Sequence, residues 1–527
     1  MPESFTTRAP VRGRRGAIAT SNYLATEAGL HMLRQGGNAV DAILTAAAVL
    51  NVVEGHCSHL GGDAFMLVWD AKAQRVTAIN GSGAAPMGLT AGAFTGGSVP
   101  LSGFLSSTIP GQVSAWDAAL ARFGTRTPAE VLAEAIYYAE EGFPVSGDLA
   151  NALQGELPKL AQFPSSLAAL APNGTPSRRG EVLRQPDLAW TLKTLAAEGF
   201  RAFYEGEIAG RIAGFWQANG GKITQADLAA QEARVLEPLA VTYRGHTVYE
   251  QPPVSQGHIL LQALNMVETL DFTAMGHLSA EALHACIEAN KLAHADKNQY
   301  TTDPRVHPFP MVLLDKGYAA ERARLINMER AASFPPPAGH PPAAQDTTYL
   351  CCVDGEGNAV SYIQSVFHGF GCGVVAEGTG VVLNNRACGF SLDPGHVNFL
   401  EPGKKTVHTL NTYMVFRDGR PVVVGGTPGG DIQVQTNLQV ITGLLDFGRD
   451  PQQAAEDPRW QRGEGLSVGA EDRLPVATIE GLRQRGHEVG LVGAYGQGGR
   501  VQVIQIAEDG VLTAGSDPRC DGCALAW

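Results

Sequence analysis

The sequence predicts an α+β protein, with helices and mixed elements ahead of a proline-rich break and a strand-rich block behind it. Three observations carry this. Apolar residues recur at helical spacing between glycine turns in the first half of the chain. Phe334 to Ala344 reads FPPPAGHPPAA, which can continue neither a helix nor a strand and is expected to be an exposed linker. Beyond it, short β-branched and aromatic runs are separated by Gly-containing turns.

Taken in order, the first third reads as helices. Ala25 to Gln35 forms an amphipathic helix that Gly36-Gly37 stops. Asn38 caps the next one, and Asp41 in its first turn favours the positive end of the helix dipole. That second helix is apolar nearly all round, so it belongs in the interior. Thr127-Pro128-Ala129-Glu130 is a capping box with proline at the first helical position, opening a helix to about Glu141. Helical patterns recur over Gln185–Glu198, Thr224–Gln231, Gln256–Leu270 and Ala280–Gln299. After the break, Thr348–Asp354 and Asn358–Ser365 flank a DGEGN turn as a hairpin does. Val381–Leu383, Tyr413–Phe416, Pro421–Val424 and Arg500–Ile506 repeat the strand pattern.

Length and composition set bounds on what the chain does. Its 527 residues allow several domains, although a large layered fold can use as many in one unit. Acidic residues outnumber basic ones by 52 to 39, a net charge of −13, and no basic stripe offers itself to phosphates, which argues against a nucleic-acid partner. No apolar run of signal-peptide length follows the N-terminal arginines, and no stretch is long and apolar enough to span a bilayer, so no membrane partner and a cytoplasmic location are expected. Eight scattered cysteines, with Cys351 and Cys352 adjacent in a strand, do not read as a secreted disulfide framework. Cys520 and Cys523 form a lone CxxC without a second ligand pair.

The chemistry concentrates where the break meets the first strand. If Thr347 attacks the Asp346–Thr347 peptide, it becomes a new N-terminus. Its free α-amine, with an unperturbed pKa of about 7.7 to 8.0, can then act as base for the hydroxyl beside it. An ordinary strand with β-branched residues is the alternative.

An ordered series of motifs bears on that choice. It includes Gly36-Gly37-Asn38-Ala39-Val40-Asp41-Ala42, Asn51-Val52-Val53-Glu54, Ile109-Pro110-Gly111, Pro252-Pro253-Val254-Ser255-Gln256-Gly257 and Lys291-Leu292-Ala293-His294-Ala295-Asp296. Asp346-Thr347-Thr348, Leu383-Asn384-Asn385, Thr427-Pro428-Gly429-Gly430 and Asp517-Pro518-Arg519 follow in the second part. In these the chain resembles the gamma-glutamyltranspeptidase family along nearly its whole length. The resemblance implies a four-layer αββα N-terminal-nucleophile hydrolase sandwich, self-cleaved into two interlocked subunits that together form one catalytic domain. The large subunit would be residues 1–346, ending in the exposed linker of about 334–346, and the small one the remaining 527 − 346 = 181 residues, 347–527. Such a heterodimer could pair further into a dimer. By position, Thr347 would be the nucleophile and Ser365 would orient it, standing where the family has a threonine. Gly429 and Gly430 would form the oxyanion hole with their backbone N–H groups.

The positions that read substrate depart from the family's transpeptidases. Ser82 stands where they have the arginine for the glutamyl carboxylate, and Gly389 where they have the aspartate for the amine. Phe367 replaces an asparagine, His408-Thr409 replace paired serines, and Arg386 replaces a glutamine. The stretch from Leu392 to Lys405 is also shorter than the family's lid-bearing one, which implies a more open site. Losing both charged anchors, each worth about 2–5 kcal/mol, speaks against glutathione processing. Asn80 to Pro86, Ser361 to Ser365 and Asn385-Arg386 are instead similar to the branch that includes oxamate amidohydrolase. Arg386 could hold a substrate carboxylate bidentately, or pair with a structural carboxylate. The reading is therefore an amidohydrolase for a small carboxylate-bearing amide, with Arg386, His408, Thr409, Phe367 and Ser82 about the substrate. An acylase taking a bulkier acyl group, a gamma-glutamyl hydrolase or transferase, and an uncleaved binding protein are the alternatives. His408, His396 and His368 lack metal-ligand spacing, and no nucleotide-binding loop stands in context, so no metal and no cofactor are expected.

Overall fold

Two seven-stranded sheets lie at the centre of the molecule. A computed structural model describes residues 6–172, 174–333 and 347–527. The linker of about 334–346, and with it Asp346, lies outside the described residues.

One sheet runs in the order Cys523–Ala526, Gly16–Thr20, Thr348–Asp354, Ala359–Ser365, Asp63–Asp70, Arg75–Gly81, Arg234–Leu236. The other runs Val11–Gly13, Leu512–Ser516, Gln502–Ile506, Arg420–Gly426, Tyr413–Arg417, His246–Glu250, Leu239–Tyr243. Alternate side chains of the two sheets meet in a shared core: Ala17, Phe65, Leu67, Tyr349, Cys351 and Ile363 from the first face Met414, Val424, Ile504 and Ala514 from the second. The outer face of the first sheet packs under helices Tyr23–Arg34, Ala39–Val53 and Gln112–Phe123, and that of the second under Gly257–Glu268, Ala280–Tyr300 and Gln433–Leu445. Helix, sheet, sheet and helix give the αββα layering, the N-terminal-nucleophile hydrolase sandwich.

Local chemistry explains the helices that were legible. Asn38 accepts from the N–H groups of Val40 and Asp41 while Asp41 reaches back to the Asn38 N–H, a capping box that opens Ala39–Val53. All fifteen residues of that helix are buried, as its uniform apolar surface requires. Thr127 and Glu130 form the same device ahead of Pro128–Glu141.

The first third is not helical throughout. Asp63–Asp70 and Arg75–Gly81 are paired strands within it, and Asp63–Asp70 lies deep in the first sheet. Its sequence, DAFMLVWD, is covered on both faces, so it shows a continuous apolar run without the alternation that marks a half-exposed strand. Leu239–Tyr243 and His246–Glu250 likewise add strands ahead of the break.

Candidate active site

Sheet register places the proposed nucleophile. Thr348 pairs with Gln364 in the antiparallel hairpin, so Thr347, one residue earlier, falls opposite Ser365. Its Oγ1 donates to Ser365 Oγ at 3.0 Å, and the Phe367 N–H donates to the same oxygen at 2.8 Å. Ser365 pairs on its other side with Asp63, so Thr347, Ser365 and Asp63 line up across adjoining strands at one end of the sheet. Thr347 is only 2% exposed. Thr348 meets Ser21 Oγ, which donates to Glu54 Oε2 at 2.7 Å.

The Thr427-Pro428-Gly429-Gly430 turn joins strand Arg420–Gly426 to a short 3₁₀ turn and helix Gln433–Leu445. Gly429 has φ +135° and Gly430 +62°, a region that a side chain disfavours. The turn therefore presents backbone N–H groups at the positive end of a helix. Gln256 clamps it: its Nε2 donates to Thr409 O at 2.9 Å and to Gly430 O at 3.0 Å. Lys297 donates to Gln256 Oε1 at 3.0 Å and to Asp431 Oδ1 at 2.5 Å. Burial raises the Asp431 carboxyl, but the Lys297 cation more than offsets it and holds the group below the usual carboxylate range.

A cavity opens beside this turn. Lys297, Thr301, Phe367, Cys388, Gly389, His396, Asn398, Val407, Thr409 and Asp431 line it, and most of its exposed wall is apolar. Of the five residues expected about the substrate, Phe367 and Thr409 reach this wall. Arg386, His408 and Ser82 are buried away from it. Ser82 Oγ donates to Asn80 Oδ1 at 2.6 Å, and its carbonyl accepts from Lys405 Nζ at 2.6 Å. Arg386 is 1% exposed, stacks on the Phe367 ring with Cζ 3.9 Å from the centroid, and lies 3.6 Å from Asp63 Oδ2. His408 Nε2 approaches the same carboxylate oxygen at 3.8 Å, and its ring packs on Phe65.

These separations are too long for direct hydrogen bonds. Asp63 Oδ2, Arg386 Nε and Nη2, and both His408 ring nitrogens are buried without a hydrogen-bond partner. Burial pushes Asp63 up to about 6 against the pull of Arg386, and pushes Arg386 down to about 10. Burial, reinforced by the Arg386 and Lys405 cations, drives His408 well below its ordinary value. At neutral pH the trio is an ion pair with a neutral imidazole.

Asp63, Gln256, Lys297 and Asp431 were missed from sequence. Gln256, Lys297 and Asp431 stand in or next to matched motifs, whereas Asp63 carried no signal that set it apart. Elsewhere, all eight cysteines, Cys520 and Cys523 included, are free thiols. Among the described residues, one group of three has metal-ligand types in reach: His284, Glu288 and His487, whose ligand atoms lie within 4.8 Å of one another. Lys291 Nζ already holds Glu288 Oε1 at 2.8 Å, and the two imidazoles contact each other at 2.8 Å, so these atoms already have partners.

Comparison with known proteins gives the family. The gamma-glutamyltranspeptidase family model covers residues 25–527. The chain belongs to that family. It is 40% identical to the glutathione hydrolase-like YwrD proenzyme of Bacillus subtilis (strain 168), over 98% of this chain and 99% of that one. It is 35% identical to the oxamate amidohydrolase proenzyme of Klebsiella pneumoniae, over 97% and 98% of the respective chains. The crystal structure of a cephalosporin acylase from Bacillus halodurans superposes with a TM-score of 0.93 at 38% identity, covering 100% of this chain and 99% of that one. The protein is thus an enzyme, an amidohydrolase with the N-terminal-nucleophile fold. Among the described residues, no helix is long and apolar enough to cross a membrane.

Proposed function

We propose that the chain cuts itself before Thr347 and hydrolyses an amide with the freed threonine, taking an uncharged acyl group into the cavity beside Phe367. The observation that carries the reaction is the Thr347 Oγ1 to Ser365 Oγ contact of 3.0 Å at the very start of a buried strand. Once freed, the Thr347 amine accepts the hydroxyl proton as Oγ1 attacks the substrate carbonyl. The oxyanion that forms is stabilised by the backbone N–H groups of Gly429 and Gly430. As the C–N bond breaks, the amine returns the proton to the leaving nitrogen. Water then attacks the Thr347 ester by the same route in reverse and frees the acid. The two pieces, 1–346 and 347–527, act together as a heterodimer.

The acyl preference follows from the cavity wall. Ser82 and Gly389 supply no charged anchor for a glutamyl group, and Lys297 and Asp431 neutralise each other. An acylase for a neutral acyl chain is the reading this favours. A carboxylate-bearing substrate such as oxamate is the second reading, which requires the Arg386 cation, stacked behind Phe367, to reach the cavity.

Intact mass and a denaturing gel of the purified protein beside Thr347→Ala test the reaction. Two pieces starting at Met1 and Thr347 are expected in the wild type and none in the variant, with amide hydrolysis following the cleaved species. A wild type that stays whole through every maturation condition would remove the amine the mechanism needs. Initial rates on butyryl-p-nitroanilide, glutaryl-p-nitroanilide and oxamate then separate the two substrate classes.

A further inference from the structure

Phe367 is the one bulky residue of the cavity wall whose backbone has a positive φ, at +85°. For an aromatic residue that is a true outlier, and such strain persists only where its surroundings hold it. Here the holding group is Ser365, whose Oγ accepts both the Phe367 N–H at 2.8 Å and the Thr347 hydroxyl at 3.0 Å. The strained residue is therefore tied to the same atom that positions the nucleophile.

The ring covers a cation. The Arg386 guanidinium carbon lies 3.9 Å from the ring centroid, and the ring reaches the cavity while Arg386 does not. Asp63 pairs with Arg386 only at 3.6 Å, leaving Nε and Nη2 as unused donors. Lys405 adds a second cation nearby, with Nζ on the Ser82 carbonyl and the buried Asp303 carboxylate also acting on it. An aromatic face accommodates such a cation without offering it a counter-ion.

The geometry points to Phe367 as the residue that sets the charge preference of the acyl cavity: its ring screens Arg386, so that carboxylate-bearing acyl groups are excluded until the ring is removed. This rests on the reading that the cavity receives the acyl group. With the ring gone, the free guanidinium donors face the cavity, and a carboxylate at the end of an acyl chain has a bidentate partner.

The test compares glutaryl- with butyryl-p-nitroanilide on the self-cleaved wild type, Phe367→Ala and the double variant Phe367→Ala/Arg386→Met, alongside calorimetric binding of glutarate to each. In Phe367→Ala the glutaryl-to-butyryl ratio of kcat/KM rises at least tenfold and glutarate binds at least tenfold more tightly. Both gains vanish in the double variant. An unchanged ratio and unchanged glutarate affinity overturn the proposal, as does a gain that survives loss of Arg386. Self-cleavage into two pieces reports folding. Should Phe367→Ala fail it, Phe367→Leu, which keeps apolar bulk but lacks the ring face, is read by the same criteria. If the wild type turns over neither anilide, the acylase reading fails, and the glutarate affinities still decide the role of Phe367.

Discussion

Gly429 shows at the scale of one residue why the proposed oxyanion turn has its sequence. At φ +135° an added Cβ would also lie 2.6 Å from Cγ1 of Ile432, the last residue of the 3₁₀ turn that precedes helix Gln433–Leu445. Gly429→Ala is therefore expected to rotate the peptide whose N–H is the proposed oxyanion donor. Losing one such donor costs about 10²–10³ in rate, and because the donor acts on charge that develops in the transition state, kcat falls while KM hardly moves. Steady-state kinetics normalised to cleaved protein check this, and a loss confined to KM would contradict the oxyanion role. The sequence singles out Thr347, Ser365 and the glycine pair as candidates because they stand in ordered motifs. Arg386 was legible as a charged residue near the site, but its partner was not. Asp63 sits far away in sequence, and only strand pairing brings it beside Ser365.

At the scale of an element, strand Thr348–Asp354 is held at its first residue by side chains from the large piece. Ser21 bridges Thr348 to Glu54, whose other oxygen, Oε1, is buried without a partner. Burial pushes Glu54 up to about 7, with Arg500 pulling against it. The folded state thus binds a proton that the unfolded state, with its carboxyl near the ordinary value, gives up at lower pH. Stability from this group is fully present below about pH 4.5 and is lost as pH rises through about 7, by at most about 3.5 kcal/mol at roughly 1.4 kcal/mol per unit. Glu54→Gln is expected to flatten the fall of the thermal midpoint between these pH values while leaving other titrations in place. Identical wild-type and variant slopes would show that Glu54 does not carry this linkage. Capped helices and the DGEGN hairpin were legible because their signals are local. Strand Asp63–Asp70 was not, since burial on both faces erases the alternation that sequence reading depends on.

At the scale of the molecule, the proposed cut before Thr347 falls at the start of a strand in the middle of a sheet. Strand Thr348–Asp354 lies between Gly16–Thr20 and Ala359–Ser365, which in turn pairs with Asp63–Asp70. Small-piece strands are thus flanked on both sides by large-piece strands, and Cys523–Ala526 closes the outer edge against Gly16–Thr20. The second sheet mixes the pieces in the same way, with Val11–Gly13 on Leu512–Ser516 and His246–Glu250 on Tyr413–Arg417. Cutting one peptide bond removes a covalent link and none of these ladders or the core between them. Separating the pieces would expose the inner faces of both sheets, so dissociation costs about as much as unfolding. The self-cleaved protein is therefore expected to elute with both pieces in one peak on native gel filtration even at nanomolar dilution. In denaturant they should part in the same transition that melts the secondary structure followed by circular dichroism. Release of the small piece ahead of that transition would mean that the halves merely dock. Coincidence of the two would mean that each piece depends on the other for its folded state.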